Sequence, residues 1–111
     1  MSSADLIERH SVHFAVYRYK EGTPIDEIES ALEDVCRLGD QVAGIRLVSW
    51  GSNSSPHACG YTHAMTIVGD DMDAVREFRE LARNHPISQL LSDSEETGVG
   101  ADYDYPRVEG T

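Results

Sequence analysis

The apolar positions divide the chain into short stretches with a period of two and longer ones with a helical period. "HFAVYRY" (13–19) is rich in aromatic and β-branched residues and is broken by "EGT", the pattern of a strand and its turn. "TPIDEIESALEDVCRL" then places Ile25, Ile28, Leu32 and Val35 along one helical face, with Ala31 and Leu38 beside them. Thr23 is expected to cap this helix and Pro24 to occupy its first position. Asp26 and Glu27 complement the positive end of the helix dipole, and Gly39 is expected to stop the helix. "AGIRLVSWG" (43–51) reads as a second strand, "SNSSPHACG" (52–60) as a loop and "YTHAMTIV" (61–68) as a third strand. Asp70 or Asp71 is placed to cap a second helix, "MDAVREFRELARN", whose apolar face is Val75, Phe78, Leu81 and Ala82. "HPISQLLSD" reads as a short helix with Pro86 near its start, "SEETG" as a loop and "VGADYDY" (99–105) as a fourth strand.

The resulting order, β-α-β-β-α-β, predicts an α+β protein: a ferredoxin-like protomer with a four-stranded, antiparallel-type mixed sheet and helices on one face. A single domain is expected over 12–106, after a flexible lead (1–11) and before a short tail (107–111). The first and third strands are expected at the centre of the sheet, as parallel neighbours. In the first strand His13, Ala15, Tyr17 and Tyr19 share one side, against Phe14 and Val16 on the other. In the third strand Tyr61, His63, Met65 and Ile67 oppose Thr62, Ala64, Thr66 and Val68. Neither side is polar enough to face water. The chain has no further strands to cover the second face, so a second copy is expected to supply them, giving a homodimer packed sheet to sheet.

Charge narrows the partners. Nine Lys and Arg against twenty Asp and Glu give a net charge of −11. This disfavours nucleic acid and anionic membrane, because phosphate binding needs clustered cations. No apolar run approaches a membrane span, and "MSSADLIERH" has no basic-then-apolar leader, so a cytoplasmic protein is expected. Cys36 and Cys59 are expected to be free thiols. An anionic ligand would require a local cationic pocket supplied by the few arginines.

Five histidines are the main candidates for chemistry. His10 and His57 lie in polar surroundings and read as solvated. His13 and His63 begin the first and third strands and are expected on the helix-facing side, with Tyr17, Met65 and Trp50. The plain reading of that pair is two core histidines bonded to neighbouring polar groups. The sharper reading is a polar corner in an apolar pocket, where an imidazole acts as general base. Metal binding is a weaker rival, since there is no helical His-x-x-x-His and no cysteine pair. A serine nucleophile has no Gly-x-Ser-x-Gly elbow to support it.

In their order along the chain, several landmarks resemble the stress-responsive A/B barrel domain (Dabb) family of the dimeric α+β barrel superfamily. They are His13 opening the first strand, "WGSN" (50–53), "GYTHAM" (60–65), "HP" (85–86) and a closing "DY". The resemblance runs from about His13 to Tyr105 and implies a ferredoxin-like protomer that dimerises through its sheets. It also implies a cavity between sheet and helices, used in plant members for ring closure by a polyketide cyclase. That cyclase pairs a tyrosine on the second helix with the second histidine of a His-Pro-x-His motif. Here His85 matches the first histidine, but Ser88 stands at the second, and the tyrosine position falls on Phe78 or Ala82. Other members of the superfamily hold haem, but no axial-ligand pattern supports one here.

The chain is therefore expected to be a small cyclase, lyase or isomerase-like protein without a cofactor. Its expected substrate is a small carbonyl-containing, aromatic or polyketide-like molecule. His13 or His63 would abstract a proton, and Tyr17 or the other histidine would polarise the oxygen. Trp50, Arg46, Met65, Phe78 and His85 are expected to contact the ligand, with Arg46 steadying a carboxylate or enolate. The alternative is a dimeric stress-response or ligand-binding protein that catalyses nothing, in which His85 and Pro86 are punctuation before a short helix.

Overall fold

The computed structural model describes residues 9–106. The order is β1 (Arg9–Tyr19), α1 (Ile25–Arg37), a 3-10 turn (Leu38–Gln41), β2 (Ile45–Ser52), β3 (His63–Gly69) and α2 (Met72–Asn84). A second 3-10 turn (Pro86–Ser88), α3 (Gln89–Ser94) and β4 (Glu95–Pro106) complete it. The strands form one sheet in the order β2-β3-β1-β4. This is the ferredoxin-like α+β arrangement expected from the alternation of elements.

Every pairing is antiparallel. The expected mixed sheet, with β1 and β3 parallel, is thus corrected. The β2-β3 connection reverses the chain, so β3 runs against β1, and the two strand beginnings lie at opposite ends of the sheet. Two boundaries also move. β1 begins at Arg9, inside the expected lead, and β4 begins at Glu95, inside the expected "SEETG" loop. The remainder of the lead, and the tail, lie outside the described residues.

The helices form for the reasons their sequences suggest, with two local differences. Asp71 caps α2, its carboxylate accepting from the Ala74 amide at 2.8 Å. Thr23 does not cap α1; its hydroxyl donates to the Lys20 carbonyl, and Pro24, expected at the first helical position, is instead the extended residue before a helix that starts at Ile25. Gly39 lies within the first 3-10 turn. A Cβ there would sit 3.0 Å from the Val48 side chain, so the glycine permits close packing of the turn on β2. Ile28, Leu32 and Val35 of α1 meet Val75 and Phe78 of α2 over Met65 and Ile67 of the sheet, forming the core.

Among the described residues, no helix covers the opposite face of the sheet. Phe14, Leu47, Val99, Tyr103 and Tyr105 are large, exposed and apolar. The strand register places all five on that side, with Phe14 opposite Ala101 and Tyr103 opposite Val12. Among the described residues no helix is long and apolar enough to cross a membrane.

Candidate active site

The period-two alternation of β1 delivers His13, Ala15 and Tyr17 to the helix-facing side, and their β4 partners are Asp102, Gly100 and Gly98. His13 is buried, at 8% exposure, and its Nδ1 lies 2.6 Å from Asp102 Oδ1. A carboxylate accepts only, so Nδ1 carries the hydrogen, and in the neutral ring Nε2 presents the lone pair. No bond among the described residues occupies Nε2.

The two glycines leave this corner open. A Cβ at Gly100 would stand 3.1 Å from the His13 ring, and one at Gly98 would stand 3.1 Å from the Tyr17 ring. Side chains at these positions would press on both rings and fill the trough beside them. That trough is lined by His13, Tyr17, Arg79, Glu95 and Asp102. It adjoins a cavity of about 200 Å³ between sheet and helices, whose walls include Leu32, Met65, Phe78, Ala82 and Leu91. Arg79 reaches both spaces from α2. The Tyr17 hydroxyl is held above its ordinary pKa, first by burial and then by Glu95, with Arg79 opposing, so Tyr17 is a proton donor near neutral pH.

His63 shares the same face but not the same site. It pairs with Tyr17 across the sheet, whereas His13 pairs with Ile67. Four residues of strand separate the two histidines along β1, roughly 13 Å. The expected His13–His63 pair is therefore not formed, a direct consequence of the antiparallel register. His63 is 3% exposed, with Nε2 at 2.9 Å from Glu29 and Nδ1 at 2.7 Å from the Thr62 hydroxyl. The Tyr19 and Trp50 rings flank it. Both nitrogens are engaged, leaving none for a ligand.

The other expected contacts divide. Met65 and Phe78 line the cavity. Trp50 packs on His63 and donates its indole N–H to Glu33 at 2.7 Å, away from the His13 corner. Arg46 faces solvent and pairs with Asp70. The inward turn expected of Arg46 does not occur, because its carboxylate partner lies on the outside. His85 caps the 3-10 turn after α2, its Nδ1 accepting from the Ile87 amide at 3.2 Å, and borders an outer groove with Pro86 and Leu81. Phe78, Ala82 and Ser88 all line the cavity. Among the described residues no group of three or more His, Cys, Asp or Glu side chains could hold a metal ion.

Sequence reasoning missed Asp102, Arg79, Glu95, Gly98 and Gly100. A usable signal lay in the alternation of β4. Gly98, Gly100, Asp102 and Asp104 fall on one side, and Val99, Ala101, Tyr103 and Tyr105 on the other.

Comparison with known proteins agrees with this architecture. The family model of the stress responsive A/B barrel domain matches residues 11–104. The chain belongs to that family. A stress-response A/B barrel domain-containing protein of Arabidopsis thaliana is 30% identical over 78 residues, covering 68% of this chain and 64% of the relative. The match thus spans less than two thirds of that relative's length. A dimeric ferredoxin-like protein from Thermobifida fusca superposes with a TM-score of 0.71 at 14% identity, covering 86% of this chain and 91% of the other. The hydroxynitrile lyase of Passiflora edulis superposes with a TM-score of 0.64 at 19% identity, covering 92% and 96%. At such identities the structural matches speak to the fold.

Proposed function

We propose that this protein is a small acid–base enzyme of the cyclase, lyase or isomerase kind. It would act on a small carbonyl-containing, aromatic or polyketide-like molecule, in the cavity between sheet and helices. The observation that carries this reading is the His13–Asp102 bond at the cavity wall beside Tyr17. Asp102 fixes the ring so that Nε2 is the base, in position to remove a proton next to a carbonyl. The Tyr17 hydroxyl, kept protonated by burial, donates to the oxygen on which charge develops. The residues at the plant cyclase positions cannot do this work, since Phe78 and Ala82 have no hydroxyl and Ser88 is a poor base. Acid–base function accordingly sits on the strand side of the cavity. That one structural neighbour is a lyase is compatible with this chemistry.

The working form is proposed to be a homodimer joined through the helix-free sheet face, where Phe14, Leu47, Val99, Tyr103 and Tyr105 would be covered. Structural neighbours described as dimeric support this.

The test is turnover across a panel of small β-keto and aryl carbonyl compounds with wild type, His13→Ala and Asp102→Asn. Turnover that falls in both variants, while binding persists, supports the reading. Wild-type rates no greater than those of His13→Ala across the panel would leave a protein that binds a ligand and catalyses nothing.

A further inference from the structure

Two arginines border the cavity, Arg79 and Arg83, and their pairing tells them apart. Arg18, Arg37, Arg46, Arg76 and Arg83 each stand against a carboxylate. Lys20 donates to the Asp93 carbonyl. Arg79 has no bonded partner among the described residues, although it is half-buried and borders both the cavity and the trough beside His13. Glu95 lines the same space without bonding it. In a chain of net charge −11, carboxylates are abundant, and a half-buried guanidinium left without one retains its capacity to grip an anion in two-pronged fashion. Its field reaches the Tyr17 hydroxyl.

The remaining walls set the rest of the ligand. Leu32, Met65, Ile67, Phe78 and Leu91 give one apolar side to a chamber of about 200 Å³, whose other walls include Tyr19, Ser88 and Ser92. An apolar cavity of ~150 Å³ is enough to take benzene, so the chamber suits one ring with a short substituent. Glu95 and Asp102 at the mouth oppose a second negative charge. We infer that Arg79 is the anion anchor of this cavity, and that its ligand is a small monocarboxylate with an apolar body about the size of one substituted ring. Phosphorylated or nucleotide-bearing derivatives are disfavoured by the same acidic rim. The inference deepens the acid–base reading by naming the substrate class.

The experiment is calorimetric titration of the full chain with phenylacetate and with its neutral amide, at low salt, for wild type, Arg79→Gln and Arg79→Lys. The acid is expected to bind ~10-fold or more tightly than the amide, the worth of one charge-assisted bond. Arg79→Gln is expected to abolish that preference by weakening the acid far more than the amide, and Arg79→Lys to retain part of it. Equal affinities in wild type, a preference that survives in Arg79→Gln, or no binding of the acid would each overturn the anchor. Turnover separates this inference from the parent reading. An acid preference that depends on Arg79, without turnover that depends on His13, leaves the anchor and removes the enzyme; the reverse leaves the enzyme and removes the anchor.

Discussion

The two ends of the helix-facing sheet surface each bury a histidine, and they differ in what is left over. At one end His63 spends both nitrogens, on Glu29 and Thr62, and is packed between Tyr19 and Trp50. At the other, His13 spends one nitrogen on Asp102, and Gly100 of β4 holds open the space beside its ring. Burial is similar at the two sites, so burial alone does not mark the one that can act. On the proposed acid–base reading, the unspent lone pair beside a cavity does.

The contrast can be broken most sharply by exchange of function. His13→Ala is expected to lower turnover of any substrate found by ~10²–10⁴-fold, the usual contribution of a positioned general base, and His63→Ala by only a few fold. Initial rates at saturating substrate decide it; equal losses in the two variants would erase the distinction.

The next effect inverts the ranking. His63→Ala leaves Glu29 and Thr62 without their partner and is expected to destabilise the fold by ~1–3 kcal/mol, read by denaturant titration. His13→Ala should cost less, because Asp102 is 45% exposed and can turn to water.

A third variant closes the open end without removing a polar group. Gly100→Val sets a side chain against the His13 ring, where a Cβ alone would lie at 3.1 Å. Ligand affinity is expected to fall by ~10-fold or more, while secondary structure by circular dichroism is retained.

The smallest effect concerns a group that belongs to neither end. Burial, followed by Glu33, pushes the Cys36 thiol up to about 11 from 9.0. The unfolded thiol ionises first, so the unfolded state binds fewer protons above pH 9, and stability falls as pH rises from about 9 to about 11. Melting temperatures over that window should decline less steeply in Cys36→Ala, with the tyrosines accounting for the remaining slope. The exposed Cys59 should alkylate well before Cys36.

Much of the fold was legible because its signals are local. The α2 boundaries, Met72 to Asn84, follow from Asp71 and the Val75–Phe78–Ala82 stripe. The start of β4 was not legible, because Glu95, Glu96, Thr97 and Gly98 lie on an edge strand with little packing to impose apolar residues. In the site, His13 and Tyr17 were legible from β1 alternation alone. Asp102 was not, because its meaning arises only from the cross-strand register with His13. Nothing in the sequence separates Arg79 from Arg76 and Arg83 on the same helix, and only its position beside both the cavity and the trough singles it out. The expected partnership of His13 and His63 failed on strand direction, a property that residue spacing does not carry.

The most direct measurement is the ring nitrogen spectrum of the histidines by long-range proton–nitrogen NMR, at neutral pH, with and without a bound carboxylate such as phenylacetate. His13 is expected to carry its hydrogen on Nδ1, with an unprotonated Nε2 that shifts when the ligand binds, while His63 stays unchanged. Asp102→Asn is expected to disturb the His13 tautomer alone. A His13 protonated on Nε2 and indifferent to ligand, or a response confined to His63, would contradict the assignment of the working base.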